Sequence, residues 1–302
     1  MARTTHAEKV SEALTRGEAA RSALVASWSR SARLHGLDPQ RRGDERLTDG
    51  EFRMARDRSG PLLSLARPAI ERLFQTVGGL GACVILSDAE GIALDRCGAP
   101  CDDPDFAGWG LWTGTRWTEA AQGTNAIGTC LVEARPVTIH RDQHFLTRNT
   151  GLSCMSAPIF GAEGTLAAVL DVSSARAEVT EGLTRLIAQG VAEAARRIEA
   201  DLFRAAHPRD RILIVPGVEG ALLACDGDEL VTGATRAARN HLRLTGLGQP
   251  VADLLGLTDH DLVGAERATL RRALARHRGN ASATARALGI SRATFHRKLS
   301  HA

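Results

Sequence analysis

The C-terminal residues 264–302 concentrate side chains that can bind a nucleic acid. They hold nine Arg or Lys residues against one acidic residue, Glu266, whereas the other 263 residues hold 29 basic and 34 acidic ones. A strongly basic segment joined to a mildly acidic body is typical of a nucleic-acid-binding module attached to a domain of another kind. The charge distribution therefore predicts a DNA-binding segment in this region.

The apolar spacing in this segment predicts three short helices. Four residues of the first helix recur at helical intervals and would face a core: Leu270, Ala273, Leu274 and His277. Asn280 and Ser291 are suited to cap the second and third helices, and Gly289 suits the left-handed turn between them.

The third helix would present one face to a DNA groove. At about 100° per residue, Phe295 and Leu299 point inward, so that small, polar and basic side chains point outward. Arg can hydrogen-bond guanine edges, and hydroxyl and Lys side chains can hold phosphates. The pattern predicts a helix-turn-helix whose last helix reads the base sequence. The residues predicted to contact double-stranded DNA are Arg278, Ser282, Arg286, Ser291, Arg292, Ala293, Thr294, His296, Arg297 and Lys298.

Aromatic and polar residues in the middle of the chain could form an effector site. Trp109, Trp112 and Trp117 could line an apolar cavity or could pack in a core. Asn125 and Thr129 could contact an effector, or they could cap helices and bind backbone groups. The residue types leave both alternatives open.

Two histidines and a cysteine are further effector candidates, and they could also hold a metal ion. His140 and His144 are four residues apart, and Cys154 follows. That spacing brings two imidazole rings together on a helix, whereas His140 ends a predicted strand. Hydrogen-bonding core histidines are therefore the favoured interpretation, and neither a metal nor a cofactor is expected.

Cys97 and Cys101 are a candidate redox pair, since three residues separate them. Six cysteines in 302 residues are sparse, and no cationic cluster next to this pair would lower the thiol pKa values. Free thiols in a surface loop are the favoured interpretation. Nothing resembles a Ser-His-Asp array or paired acid–base carboxylates, so the sequence predicts a protein that is not an enzyme.

Composition excludes several classes of protein. Lys9 and Lys298 are the chain's two lysines, and neither follows a G-x-x-x-x-G motif, so the sequence contains no Walker A loop for ATP. No apolar run approaches the roughly 20 residues that span a bilayer, and the polar N-terminus does not resemble a secretory signal. We therefore expect a cytoplasmic protein without a membrane partner.

Hydrophobic periodicity predicts helices over residues of about 8–75, including one near Pro61–Val77, followed by a sheet. The strongest hairpin pattern joins Cys154–Phe160 to Thr165–Ser173. Hairpins flanked by helices indicate an antiparallel sheet, which we expect to be covered on one side.

A long helix is predicted over Glu178–Ala206. Its apolar residues form a stripe at intervals of three and four: Leu183, Ile187, Val191, Ala194, Ile198 and Leu202. We expect part of this stripe to pack on the sheet and the rest to support a homodimer, because helix-turn-helix proteins generally use two half-sites.

Several stretches resemble known bacterial regulators. GNASATARALGISRATFHRKL resembles the Fis-like helix-turn-helix of enhancer-binding transcription factors. WTGTRWTEAAQGTNAIGTCLVEARPVTIHRDQHF and LSCMSAPIFGAEGTLAAVLDVSS resemble the GAF sensor domain of acetoin-catabolism-type regulators, and Ser27–Arg30 also lies where that family has such a stretch. GALLACDGDELVTGATRAARNHL resembles the opening of a PAS domain, although the segment is too short for a complete one.

The predicted fold is α+β, with a GAF-like antiparallel sheet and flanking helices, a short PAS-like α/β spacer and an all-α C-terminal helix-turn-helix. The predicted limits are an N-terminal helical region over 1–71, the GAF-like domain over 72–199, the spacer over 200–262 and the helix-turn-helix over 263–302.

The resemblance implies a bacterial transcriptional regulator whose GAF-like domain senses a small molecule or a partner. Without an ATPase of its own, it would repress transcription or recruit RNA polymerase from an operator. One alternative is an accessory subunit that forms heterodimers with a full-length ATPase-containing relative. A less favoured alternative is a thiol redox enzyme, since some proteins with the GAF fold reduce methionine sulfoxide through cysteines.

Overall fold

Among residues 5–43, 45–255 and 262–300, which the computed structural model describes, four α-helices precede the first strand. They are α1 (His6–Thr15), α2 (Ala23–Ser29), α3 (Asp49–Arg58) and α4 (Gly60–Val77). Thr5 and Thr48 form capping boxes with Glu8 and Glu51, which explains why α1 and α3 begin there. A π-helical turn over Arg30–Leu34 extends α2.

Five strands form one antiparallel sheet in the order β2-β1-β5-β4-β3. They are β1 (Ala82–Asp88), β2 (Ala93–Cys97), β3 (Val137–His140), β4 (Ser153–Phe160) and β5 (Leu166–Ser174). Three short helices follow β2 and a long one follows β5: α5 (Asp103–Gly108), α6 (Glu119–Gln122), α7 (Ala126–Glu133) and α8 (Glu181–Ala206). Val172 pairs with Val84 on one side and with Met155 on the other, which sets the register of the central strands.

Both faces of this sheet are covered, so the expectation of one-sided cover is wrong. Val84 and Leu86 pack on one face with residues of α4 and α8. Cys83 and Ile85, which alternate with them, pack on the other face with Trp117. A nearly continuous apolar strand is typical of a sheet buried on both faces, and the sequence of β1 has that character.

The apolar stripe of α8 packs within its own domain. All six stripe residues belong to the core beneath α4 and α8, four of them buried and two, Leu183 and Leu202, half-buried. The large apolar residue of this helix that is exposed is Leu186, which is outside the stripe. The stripe therefore stabilises the sheet, and the homodimer stays a prediction.

A second, smaller sheet follows α8. Its strands β6 (Arg211–Ile214), β7 (Leu222–Cys225) and β8 (Val231–Ala234) are antiparallel in the order β6-β7-β8, and α9 (Arg236–Leu242) follows them. Phe203 at the end of α8 packs with Leu222 and Ala224. The chain divides into two compact units between Leu247 and Gly248, so this sheet belongs to the same unit as the larger one.

The C-terminal unit is helical where the structure describes it. Its helices are α10 (Val251–Leu254), α11 (Leu262–Arg276), α12 (Ala281–Ala287) and α13 (Arg292–Ser300). The α+β fold with an all-α C-terminal region is thus confirmed. The predicted limits also include residues 1–4, 44, 256–261 and 301–302, which lie outside the described residues. In the described part of the chain, no helix combines the length and apolar character that a membrane span requires.

Candidate functional site

Two left-handed residues end α11 and aim the chain into α12. Arg278 has φ 51° and Gly279 has φ 81°, and the Gly279 N–H donates to the Leu274 carbonyl at 2.9 Å. Asn280 then caps α12, since its Oδ1 accepts from the Ala283 N–H at 3.0 Å. The turn chemistry predicted for this connection is confirmed.

A similar turn starts α13. Gly289 has φ 67°, where a side chain would be strained, and the Ile290 N–H donates to the Ala285 carbonyl at 3.0 Å. Ser291 Oγ accepts from the Thr294 N–H at 3.0 Å, which caps the last helix.

The two faces of α13 differ as predicted from its periodicity. Phe295 is fully buried beside Leu270 and Ala285, and Leu299 packs against them. The side chains of α13 that are exposed are Arg292, Ala293, His296 and Arg297. Of the other residues predicted to contact DNA, Arg278, Arg286 and Ser291 are exposed, while Ser282, Thr294 and Lys298 are half-buried. The helical unit therefore carries a basic and polar surface over an apolar core.

Two residues of this unit differ from the simplest expectation. His277 is exposed, so its placement on the core stripe is wrong, because α11 ends at Arg276 and the chain turns at Arg278. Lys298 Nζ forms an ion pair with Glu266, which joins α13 to α11. Lys298 thus holds α13 against α11 in the structure, and its contact with DNA stays a prediction.

The three predicted effector tryptophans occupy different environments. Trp117 is buried in the core, and its indole N–H donates to the Gly110 carbonyl at 3.0 Å. Trp112 lies under the Arg96 guanidinium, 4.5 Å from ring centre to Cζ. Trp109 borders a surface groove. Trp109 therefore borders a groove that Trp112 and Trp117 do not line, and contact of the three rings with an effector stays a prediction.

The groove beside Trp109 has a volume of about 380 Å³. It lies between α5 and the loop that carries Arg148 and Asn149, and Asp105 also lines it. Asn149 is fully buried, and neither its amide nitrogen nor its amide oxygen has a hydrogen-bond partner. An aromatic wall, a guanidinium and a buried unpartnered amide are groups that can orient a small polar ligand. Sequence reasoning missed Arg148 and Asn149, since no motif distinguishes them from other loop residues.

Asn125 and Thr129 have local partners. Asn125 caps α7, with its Oδ1 accepting from the Gly128 N–H at 2.8 Å and its Nδ2 donating to the Gly123 carbonyl at 2.8 Å. Thr129 Oγ1 donates to Glu119 Oε1 at 2.9 Å. Asn125 therefore has the capping role that the sequence analysis left open, whereas Thr129 binds a carboxylate group and not the backbone.

Glu119 is the centre of a buried polar cluster that the sequence analysis missed. It is 2% exposed, and Arg30 binds it through two nitrogens, at 2.7 Å from Oε2 and 2.8 Å from Oε1. Ser27 Oγ also donates to Glu119 Oε1, at 2.6 Å. The Ser27–Arg30 stretch was the available signal, but its partner lies 89 residues from Arg30 along the chain. The cluster attaches α2 and the π-helical turn after it to α6 and α7.

The two histidines and Cys154 make separate contacts. His140 Nδ1 bonds Ser153 Oγ at 2.9 Å, and His144 Nδ1 bonds the Arg141 carbonyl at 2.9 Å. Burial lowers the pKa of His144 to about 4 and raises that of the Cys154 thiol. In the described ranges, no three His, Cys, Asp or Glu side chains are grouped as metal ligands.

The cysteines are free thiols. Cys97 ends β2 and is half-buried, whereas Cys101 is exposed. Burial raises the pKa of the Cys97 thiol, which opposes formation of a reactive thiolate.

Asp171 is a second buried carboxyl group that the sequence analysis missed. It lies in β5 on the side of Trp117, and Ser156 Oγ and Ser173 Oγ each donate to it at 2.6 Å. Burial nevertheless raises the pKa of Asp171 to about 6, because neutral hydroxyl donors offset only part of the cost of burying a charge.

Comparison with known proteins adds family information. The GAF domain family matches residues 61–198, and the bacterial regulatory protein, Fis family, matches residues 264–301. The acetoin catabolism regulatory protein of Cupriavidus necator is 34% identical over 238 residues, which cover 76% of this chain and 36% of that protein. The acetoin dehydrogenase operon transcriptional activator AcoR of Bacillus subtilis is 29% identical over 153 residues, covering 51% of this chain and 25% of that protein.

The matched part of the chain therefore spans between a quarter and little more than a third of the length of these two relatives. Among solved structures, the E. coli DhaR(N)–DhaL complex is similar in fold, with a TM-score of 0.55 and 18% identity. That match covers 77% of this chain and 81% of the compared chain.

Proposed function

This chain combines a GAF domain with a Fis-family helix-turn-helix and is homologous to acetoin catabolism regulators, and on that premise we propose that it is a sequence-specific DNA-binding transcriptional regulator. The basic, exposed face of α13 opposite buried Phe295 is the observation that carries this proposal. Residues 199–263 separate the two matched regions, which is too short for a central ATPase domain. The regulator therefore has no ATPase domain between its GAF domain and its helix-turn-helix.

In the proposed complex, α13 enters the major groove of an operator. Arg297 hydrogen-bonds a guanine edge, and Arg278 at the turn before α12 contacts a phosphate. The remaining predicted contact residues of α12 and α13 complete the interface. A homodimer presents two such helices to two half-sites, as helix-turn-helix proteins generally require.

We place the effector of the GAF domain in the groove beside Trp109. Asn149 supports this placement, because a ligand would satisfy its unpartnered amide. Effector binding then changes operator affinity by favouring one conformation of the regulator, and DNA must change effector affinity by the same factor. Repression and recruitment of RNA polymerase are the two outputs that we propose for a regulator with no ATPase domain between its sensor and its helix-turn-helix.

We propose no catalytic activity for this chain. The half-buried Cys97 has a raised thiol pKa, and Cys154 is buried with its pKa raised further. Thiol-dependent turnover that survives deletion of residues 264–302 would support the redox alternative instead.

The test begins with selection of fragmented genomic DNA by the purified full chain at about 150 mM salt, which suppresses nonspecific binding. We expect the retained fragments to share a two-fold repeat. Retention seen only after an ATPase-containing relative is added would support the accessory-subunit alternative. No retention under either condition would refute the proposal.

Two variants then test the roles of individual residues on the selected site. Arg297→Ala should weaken binding to that site by about 1–3 kcal/mol and weaken binding to random DNA much less. Arg278→Ala should weaken binding to both DNAs alike and reduce the salt dependence. Arg185→Ala, an exposed change in α8, serves as the control. Equal losses on both DNAs for Arg297→Ala would refute its assignment as a reader.

A further inference from the structure

A second groove lies at the junction of the large sheet, α8 and α9. It has a volume of about 240 Å³ and is distinct from the groove beside Trp109. Ala157 lines it and belongs to the core beneath α4 and α8, whereas Trp109 packs with the core on the opposite face of the sheet. We name it the junction groove, and its lining includes Ala157, Pro158, Phe160, Ala192 and Ala237.

Three charged side chains converge on the junction groove. They are Arg196 and Glu199 from α8 and Arg236 from α9. The Arg236 guanidinium covers the Phe160 ring, with its Cζ 3.9 Å from the ring centre, and donates to the Ala134 carbonyl at 3.4 Å. Glu199 Oε1 accepts from the Phe160 N–H at 2.9 Å. Arg236 and Glu199 are therefore both held in place by Phe160, at the end of β4.

Arg196 has one nitrogen that the protein leaves without a partner. Its Nη2 bonds Glu219 at 3.1 Å, whereas its Nε is buried and has no hydrogen-bond partner. A buried donor without an acceptor costs free energy that a suitable ligand would recover. Burial raises the pKa of Glu199 to about 7, so this carboxyl group offsets only part of the charge of the two arginines at neutral pH. The lining thus combines apolar walls with net positive charge.

We propose that the junction groove binds a small monocarboxylate with an aliphatic or aromatic body. The carboxylate accepts one hydrogen bond from Arg196 Nε and lies near the Arg236 guanidinium, and a hydrogen bond between two ionised groups is stronger than one between neutral groups. The apolar body lies against Pro158, Ala192 and Ala237. A ligand in this position contacts the GAF domain through α8 and the smaller sheet module through α9, which gives the protein a second input beyond the proposed effector groove.

Saturation-transfer NMR on the full chain, without DNA, tests this assignment. Hexanoate and benzoate are the probes, and hexan-1-ol and hexylamine are matched molecules without the carboxylate. We expect both carboxylates to bind with Kd values below about 10 mM, and to bind at least about tenfold more tightly than the alcohol and the amine. Because no DNA is present, the outcome is independent of whether the chain regulates transcription.

Variants locate the bound molecule. Arg196→Met removes the guanidinium with its unpartnered donor while keeping an unbranched apolar stem, and it should weaken hexanoate binding by about tenfold or more. Ala237→Leu fills the groove without changing charge and should abolish binding. Arg185→Met, on an exposed position of the same helix, is the matched control and should leave binding unchanged.

Three results would overturn the proposal. One is the absence of carboxylate binding at about 10 mM, and another is equal binding of hexan-1-ol or hexylamine. The third is unchanged hexanoate binding in both Arg196→Met and Ala237→Leu, provided that circular dichroism shows both variants to be folded.

Discussion

Replacing Arg30 by alanine should destabilise the N-terminal unit through the charge left on Glu119. The Glu119 side chain is 1% exposed and that of Arg30 is 25% exposed, so removal of the guanidinium leaves a carboxylate without its cation in a site with little water. Breaking a buried pair in this way typically costs about 3–5 kcal/mol. Ser27 and Thr129 still donate to the carboxylate, and Arg30 is partly hydrated. We therefore expect a loss of about 2–3 kcal/mol.

Tryptophan fluorescence during urea unfolding measures the free energy of unfolding of the N-terminal unit by itself. All four tryptophans, Trp28, Trp109, Trp112 and Trp117, precede Leu247, so their signal follows the N-terminal unit and omits the helix-turn-helix. For a domain of this size, each kcal/mol lost from the free energy of unfolding lowers the Tm by roughly 2–4 °C. We therefore expect Arg30→Ala to lower the Tm of this unit by about 4–12 °C.

A surface control and a second substitution identify the cause. Arg16→Ala breaks an exposed pair with Glu12 and should cost less than about 0.5 kcal/mol. Glu119→Gln in the Arg30→Ala background removes the buried charge but keeps hydrogen-bonding groups, and it should recover part of the lost stability. A loss for Arg30→Ala no larger than that for Arg16→Ala would refute the reasoning, as would a double variant less stable than Arg30→Ala alone.

Three further predictions concern the helix-turn-helix and the buried aspartate. Phe295→Ala should destabilise the C-terminal unit by about 3–5 kcal/mol and abolish operator binding, measured by hydrogen exchange of that unit and by gel shift; retained binding would contradict the packing role of this ring. Glu266→Gln releases Lys298 from its ion pair, so DNA affinity should rise and the salt slope steepen by up to about 0.9 in fluorescence anisotropy titrations, and an unchanged slope would contradict this. The pKa of Asp171 rises from 3.8 to about 6 on folding, so the folded state holds this proton more tightly. The free energy of unfolding of the wild type should therefore fall by about 3 kcal/mol relative to that of Asp171→Asn as the pH rises from 3.8 to about 6. A stability difference that is constant with pH in urea unfolding would contradict the buried-carboxyl assignment.

The helix-turn-helix was predictable because its signals are local. Asn280, Gly289 and Ser291 act on backbone groups within a few residues, and Phe295 and Leu299 follow from the helical period alone. The hairpin of β4 and β5 was predictable for the same reason, since alternation and a short turn lie in one stretch of chain.

The polar sites of the N-terminal unit depend on contacts between residues that are far apart in the sequence, and no local sequence pattern predicts such contacts. Arg30 meets Glu119 across 89 residues, and Arg236 covers Phe160 only because α9 packs near the sheet edge. Similarly, three tryptophans within nine residues of sequence differ in exposure, because the loop between α5 and α6 turns Trp117 inward and leaves Trp109 at a groove. The sequence by itself determined the two domain types, the basic outer face of the last helix and the lack of a Walker A loop. Only the tertiary structure decided which polar groups are buried, which of them lack partners and where two grooves open, since burial and proximity arise from the packing of distant segments.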